Sequence, residues 1–135
     1  MRISAEDFAR RLRAVVLSSG GTGLPRRRRD KHIFLRAAAQ SLPFDETGER
    51  ALTDFLADWL ERLAPWMGLD AVTLRREMVD EGYLERDAAG SVYRVIPAGR
   101  GAVEFDAAVA ELDAAALIAA ERAAIERKRS EWGDC

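Results

Sequence analysis

The sequence predicts a mainly α-helical fold with one small β-hairpin. The expected core is winged-helix-like, helix-helix-helix-strand-strand, flanked by an N-terminal helix and a long C-terminal helix. Three observations carry that prediction. Apolar residues recur at three- and four-residue spacing in four stretches before residue 82, the signature of helices that bury one face. Two short extended runs then flank a turn containing glycine, as in a hairpin. An alanine-rich pattern with helical spacing fills residues 103–132.

Ser4 is placed to cap the first helix, with Glu6 and Asp7 in the first turn, where acids favour the helix dipole. Phe8, Leu12, Val15 and Val16 form its apolar stripe. Ser18-Ser19-Gly20-Gly21-Thr22-Gly23 stops it and reads as a linker, without the Gly-Lys-Ser/Thr ending of a phosphate loop. A second helix is expected from about Arg28 to Ser41, ended by Pro43, with Ile33, Phe34 and Ala37 inward. Thr47 is expected to cap a third helix, with Leu52, Phe55, Leu56, Trp59, Leu60 and Leu63 on its apolar side. Asp54, Asp58 and Glu61 lie opposite, Asp58 forms a favourable pair with Arg62, and Pro65 ends the helix. Asp70 caps a fourth helix, Ala71 to about Glu81, closed by Gly82 in the left-handed region. Tyr83–Arg86 and Ser91–Val95, joined by Asp87-Ala88-Ala89-Gly90, make the hairpin, and one helix is expected from Val103 to Trp132. The chain thus divides into an N-terminal amphipathic helix (1–19), a linker (20–27), a winged-helix-like unit (28–96) and a C-terminal helix (97–135).

Composition narrows the function. Of 135 residues, 48% are apolar, enough to bury a core. No stretch approaches the ~18 uncharged apolar residues of a membrane span, and acids at Glu6 and Asp7 do not suit a signal or transit peptide. A soluble cytoplasmic protein is expected. Cys135 is the only cysteine and excludes an intramolecular disulfide or a cysteine-cluster zinc site; it reads as a tail thiol. His32 is the only histidine and reads as a surface residue. Asp45, Glu46 and Glu49 lack the loop spacing of a calcium site. No catalytic group, metal or cofactor is expected. The formal charge is −2, but residues 1–36 carry a balance of +7 above an acidic remainder.

One local pattern is specific. Leu24-Pro25 and the basic run precede Asp70-x-x-x-Leu74-Arg75-Arg76-x-x-Val79-Asp80-x-Gly82-x-Leu84-x-Arg86, closed by Gly90-Ser91-x-Tyr93-Arg94. Over Leu24–Val95, about half the chain, this resembles an uncharacterised bacterial domain family of unknown function, found alone or fused behind helix-turn-helix transcriptional regulators. Where that family carries a Glu-Val-Asn-like patch, this chain has Leu52-Thr53-Asp54-Phe55-Leu56. The resemblance implies a regulator-like context and no activity or ligand.

In a winged helix the third core helix and the wing form the usual DNA-reading surface. On a helical wheel Ala71, Val72, Leu74, Met78 and Val79 share the core arc with Arg75, while Thr73, Arg76, Glu77 and Asp80 lie opposite. Glu77, Asp80 and Glu81 would meet a polyanion badly. Arg75, on a core-facing arc, is expected to pair with a carboxylate of the middle helices, with Asp54, Asp58 or Glu49 as candidates. The strongest electrostatic feature is Arg26, Arg27, Arg28, Arg29 and Lys31, five cations in six residues. Four arginines at a helix start oppose its dipole, so contact with a polyanion, extended by Arg76 and wing Arg94, competes with pairing to the chain's own acids.

In the tail, Phe105, Val109, Leu112, Ala116, Ala119 and Ala123 recur at coiled-coil-like spacing. A helix of about 28 residues reaches roughly 42 Å and needs a companion: the first helix, a second copy, or both. A homodimer is expected through Phe8, Leu12, Val16, Phe105, Val109, Leu112 and Ala116. Two readings follow: a dimeric winged-helix regulator that touches nucleic acid through the basic run and wing, or a non-catalytic interaction or ligand-sensing module that keeps the fold without binding DNA.

Overall fold

The computed structural model describes residues 1–17 and 23–133; Cys135 and most of the glycine linker lie outside them. The chain order is β1 (Arg2–Ile3), α1 (Ala5–Leu17), α2 (Arg28–Ser41), β2 (Glu46–Gly48), α3 (Glu49–Leu63), a 3-10 turn (Pro65–Met67) and α4 (Ala71–Asp80). It continues with β3 (Leu84–Arg86), β4 (Val92–Val95), β5 (Glu104–Phe105), a second 3-10 turn (Ala107–Glu111) and α5 (Ala114–Gly133). The fold is mainly helical with a small antiparallel three-stranded sheet.

Local chemistry sets several boundaries. The Ser4 hydroxyl accepts the Asp7 N–H at 3.1 Å and the Asp70 carboxylate accepts the Thr73 N–H at 2.7 Å, each satisfying a helix-start donor. Gly82 follows α4 at φ +90°, and a Cβ there would fall 2.8 Å from the Arg100 side chain. The hairpin turn is tied by Asp87, whose carboxylate accepts the N–H groups of Ser91 and Val92 at 2.8 and 3.1 Å. Thr47 does not cap α3: Gly48 holds the N-cap position, without a side-chain bond, and Thr47 lies in β2. That strand pairs antiparallel with β4, Thr47 facing Tyr93, so the sheet runs β2-β4-β3 and places Arg94 between Glu46 and Glu85. Over residues 28–95 the order helix, strand, helix, helix, strand, strand is compatible with a winged helix, in which α4 would be the third core helix and β3–β4 the wing.

Helix α2 is the centre. It is buried on all sides from His32 to Ala39, against α1, α4 and α5. Ile33, Phe34 and Leu35 join Leu52, Leu56 and Leu74 in a single apolar core. Fully burying such a side chain contributes about 1.5–3 kcal/mol.

The continuous helix expected from Val103 to Trp132 does not form. Glu104–Phe105 instead pair in parallel with Arg2–Ile3, and α5 starts only at Ala114, capped by Asp113, which accepts the Ala116 N–H at 3.1 Å. Two backbone carbonyls of the intervening turn, Val109 and Leu112, accept from the Gln40 amide at 3.1 and 2.7 Å. Strand pairing and this side-chain clamp satisfy backbone groups that a helix would otherwise have paired internally.

The companion of the tail is the chain's own first helix. Phe8, Leu12, Val16 and Val109, expected between two copies, have no exposed surface within the single chain, and Phe8 meets Phe105 edge-on at 6.3 Å. Phe105 and Leu112 are half-buried and Ala116 is exposed. Among the described residues no helix is long and apolar enough to cross a membrane.

Candidate nucleic-acid interface

Arg75 is held inside the unit, as its wheel position requires, but not by Asp54 or Asp58. Its guanidinium lies 2.9 Å from Glu49 Oε1 and donates to the Thr53 hydroxyl at 2.6 Å. The Tyr93 ring lies below at 5.7 Å. Glu49 and Thr53 are four apart and share one face of α3, whereas residue 54 is rotated about 100° from 53. Asp54 is exposed, and Asp58 pairs with Arg62 at 2.8 Å on the solvent side. Arg75 thus ties α4 to α3 and is not available to a partner.

The basic run separates into two groups. Arg29 reaches Asp7 at 2.8 Å. Asp30, nearly buried, accepts two bonds from Arg11, 3.0 and 2.8 Å long. Lys31 lies 3.0 Å from Glu77 and 3.2 Å from Glu81, and these carboxylates hold its ammonium above the usual lysine range, the Glu77 bond most of all. Arg26, Arg27 and Arg28 are exposed and make no ion pair among the described residues.

Where those three sit follows from their anchors. The Gly23 N–H donates to Met67 O, and Lys31 ends at Glu77 and Glu81. Helix α4 starts three residues after Met67 with its cap Asp70 and ends at Asp80. The segment 24–31 is therefore tied near both ends of α4, and Arg26, Arg27 and Arg28 lie between those two anchors.

Lys31 also changes the outward face of α4. The wheel placed Glu77 on the solvent side; here Glu77 and Glu81 are half-buried and drawn toward α2. The exposed positions are Val72, Thr73, Arg76 and Asp80. Val72, expected in the core, is 37% exposed, because α4 packs with Ala71, Leu74 and Met78. Arg76 makes no ion pair among the described residues and helps keep the Asp70 carboxyl below its ordinary range, after the dominant bonds from Thr73. On the wing, Arg94 pairs with Glu85 at 2.7 Å. Arg86 lies over Tyr93 at 6.0 Å and against Gly90, whose φ of +73° disfavours any residue with a side chain.

His32 is the largest correction to the site. It is 1% exposed, not a surface residue. Its Nδ1 lies 2.8 Å from the Tyr83 hydroxyl and its Nε2 lies 3.0 Å from Glu81 Oε2, close but out of line for a full hydrogen bond. A carboxylate opposite Nε2 assigns the proton there, so Nδ1 accepts from the Tyr83 O–H. Burial pushes the imidazole below its ordinary value, against the attraction of Glu81 and with help from Arg28 and Lys31. Burial also pushes the Tyr83 phenol well above its ordinary range. This cluster joins α2, α4 and the start of β3. Its sequence signal was the pair Glu77 and Glu81, four apart on one helix face, which needs a cation opposite.

No curated protein and no solved structure matches the chain. Residues 22–95 match the model of a family described as an uncharacterised protein conserved in bacteria (DUF2087), and since that is more than half of the chain, the protein belongs to this family.

Proposed function

We propose that this protein is a non-catalytic, regulator-like module that contacts duplex nucleic acid with the outer face of α4 and the basic segment beside it. One observation carries the reading: Arg26, Arg27 and Arg28 are exposed and make no ion pair among the described residues. Their segment is tied at Met67 ahead of α4 and at Glu77 and Glu81 at its end, and Arg76 on α4 is likewise exposed. Glu77 and Glu81 are half-buried and share the Lys31 ammonium, which offsets one of their two charges, while Asp80 stays exposed on the same helix. Thr73 and Arg76 are the residue types that reach base edges or phosphates from a groove-bound helix. Arg29, Lys31 and Arg94, which the sequence placed in the same surface, serve internal ion pairs instead.

That last observation favours the second reading, an interaction module that has kept the fold without the DNA surface. Fluorescence anisotropy of a random labelled duplex across a salt series separates the two. Nucleic-acid contact requires affinity that falls steeply with salt. The triple change R26Q/R27Q/R28Q makes the log–log slope shallower by about 0.9 for each phosphate that is no longer neutralised. Absent or salt-insensitive binding by the unmodified chain overturns the proposal and leaves the interaction module.

A further inference from the structure

We propose that the free end of α5, through Arg127, Lys128 and Arg129, is a second phosphate-contacting arm that meets the same duplex as α4. The inference rests on the nucleic-acid reading above and adds an interaction surface to it.

Helices α1 and α5 run side by side in the same direction. Phe8 packs against Phe105 ahead of one end of the pair, and toward the other Arg13, Ala14 and Leu17 share a groove with Glu121 and Ile125. Leu17 and Ile125 line the same groove, and α5 goes on from there through Glu126–Gly133, about 12 Å at 1.5 Å per residue. Every residue of that stretch is exposed.

Its place is fixed by Arg122. That guanidinium donates to the carbonyls of Arg62 and Leu63 at the end of α3 and lies 4.5 Å from the Trp66 ring. Trp66 in turn donates to Val16 O, and the adjacent Met67 carbonyl holds Gly23. Arg26, three residues beyond Gly23, is within about 10 Å of that anchor even when the chain is fully extended. That stretch of α5 therefore starts near the end where α4 and the free arginines both begin.

Its chemistry fits a phosphate backbone. Arg127, Lys128 and Arg129 make no ion pair among the described residues. Cations near a helix C-terminus also suit its dipole, but three in succession are spread over about 200° of the helix, more than one carbonyl end can use. Trp132, one turn beyond Lys128, is 83% exposed. A duplex is the partner these groups fit, because they are exposed cations on a helix that Arg122 anchors at the end of α3, near the start of α4.

The test uses the full chain with a fluorescein-labelled random duplex. R127Q/K128Q/R129Q keeps good helix formers and alters only exposed side chains, so its thermal melting matches the unmodified protein. The expected result is a salt slope shallower by roughly two to three, with the slope change from R26Q/R27Q/R28Q adding to it. Duplex addition also shifts the indole emission, and W132F abolishes that shift. If the α5 variant binds with unchanged affinity and slope while R26Q/R27Q/R28Q still weakens binding, the arm is overturned and the α4 interface stands. If the unmodified chain binds no duplex, both are overturned.

Discussion

The two halves of one basic run behave differently. Arg26, Arg27 and Arg28 are exposed and unpaired among the described residues, whereas Arg29, Asp30 and Lys31 are fixed to Asp7, Arg11 and the pair Glu77–Glu81. The change comes inside the first turn of α2, after Arg28. Ahead of it the segment is held by Leu24 against the core and by the bond of Gly23 to Met67; from Arg29 to Lys31 the helix lies between α1 and α4, and each position faces a named partner. Charge density in a sequence is thus not the charge a ligand meets. Helical periodicity assigns some cations to internal carboxylates and leaves the rest outside.

Removing an internal partner gives the largest effect. Asp30→Ala strands the Arg11 guanidinium, which is raised above its ordinary range chiefly by its bond to Asp30. Breaking a buried pair in this way costs about 3–5 kcal/mol, and since Arg11 is 30% exposed the lower end, about 3 kcal/mol, is expected. Urea denaturation reads it directly. A loss below about 1 kcal/mol, as for an exposed pair, would erase the distinction between the two halves.

Acidification gives a smaller effect and probes the same junction. The groups facing His32 are Tyr83, Glu81, Lys31 and Arg28. Burial lowers its folded pKa below the ordinary value, so between those two values the unfolded chain binds more protons. Stability is then complete above about pH 6.5 and falls as pH drops below it, no faster than about 1.4 kcal/mol per pH unit for one proton. Further down, Glu81 adds its own loss: burial raises its pKa, but Lys31, His32 and Arg28 together bring it below the ordinary value. H32Q removes the first phase and keeps the second. Stability that rises on mild acidification would mean that protonated His32 pairs with Glu81 in the fold.

These contrasts show which parts were legible in the sequence. Caps are local chemistry, so Ser4, Asp70 and Gly82 marked their helix ends correctly, and α2 was readable from Arg28 to Ser41. Strand β2 was not: Glu46-Thr47-Gly48 has no apolar alternation and exists through pairing with residues 92–94. Phe105, Val109 and Leu112 keep a spacing that suits a helix, but strand pairing with residues 2–3 took the backbone at Glu104–Phe105. For Arg75 the need for a carboxylate was readable, while the choice of Glu49 depended on how α3 sits against α4. His32 was misjudged for a related reason. A helix in the middle of three others buries its polar positions too, and Arg36 answers with Gln40 at 2.7 Å and the Phe105 ring at 5.0 Å.

The smallest expected effect is on the wing, where the comparison predicts near silence. Arg94 sits between Glu85 and Glu46 across the sheet, and the bond to Glu85, first among the causes, raises it above its ordinary range. If Arg94 serves that pair and not a phosphate, then exchanging the two charges, Glu85→Arg with Arg94→Glu, preserves both the pair and the net charge. The introduced carboxylate stands opposite Glu46 and the introduced arginine near Arg100, which lies 3.9 Å from Glu85, like-charge contacts with only a slight cost at exposed positions. The melting temperature is expected to stay nearly unchanged, and duplex affinity to stay within about twofold, below the tenfold that a loss of about 1.4 kcal/mol would bring. An affinity loss as large as that from R26Q/R27Q/R28Q would place Arg94 on the nucleic acid after all, because only a contact that reads the position of the cation, and not its pairing, responds to the exchange.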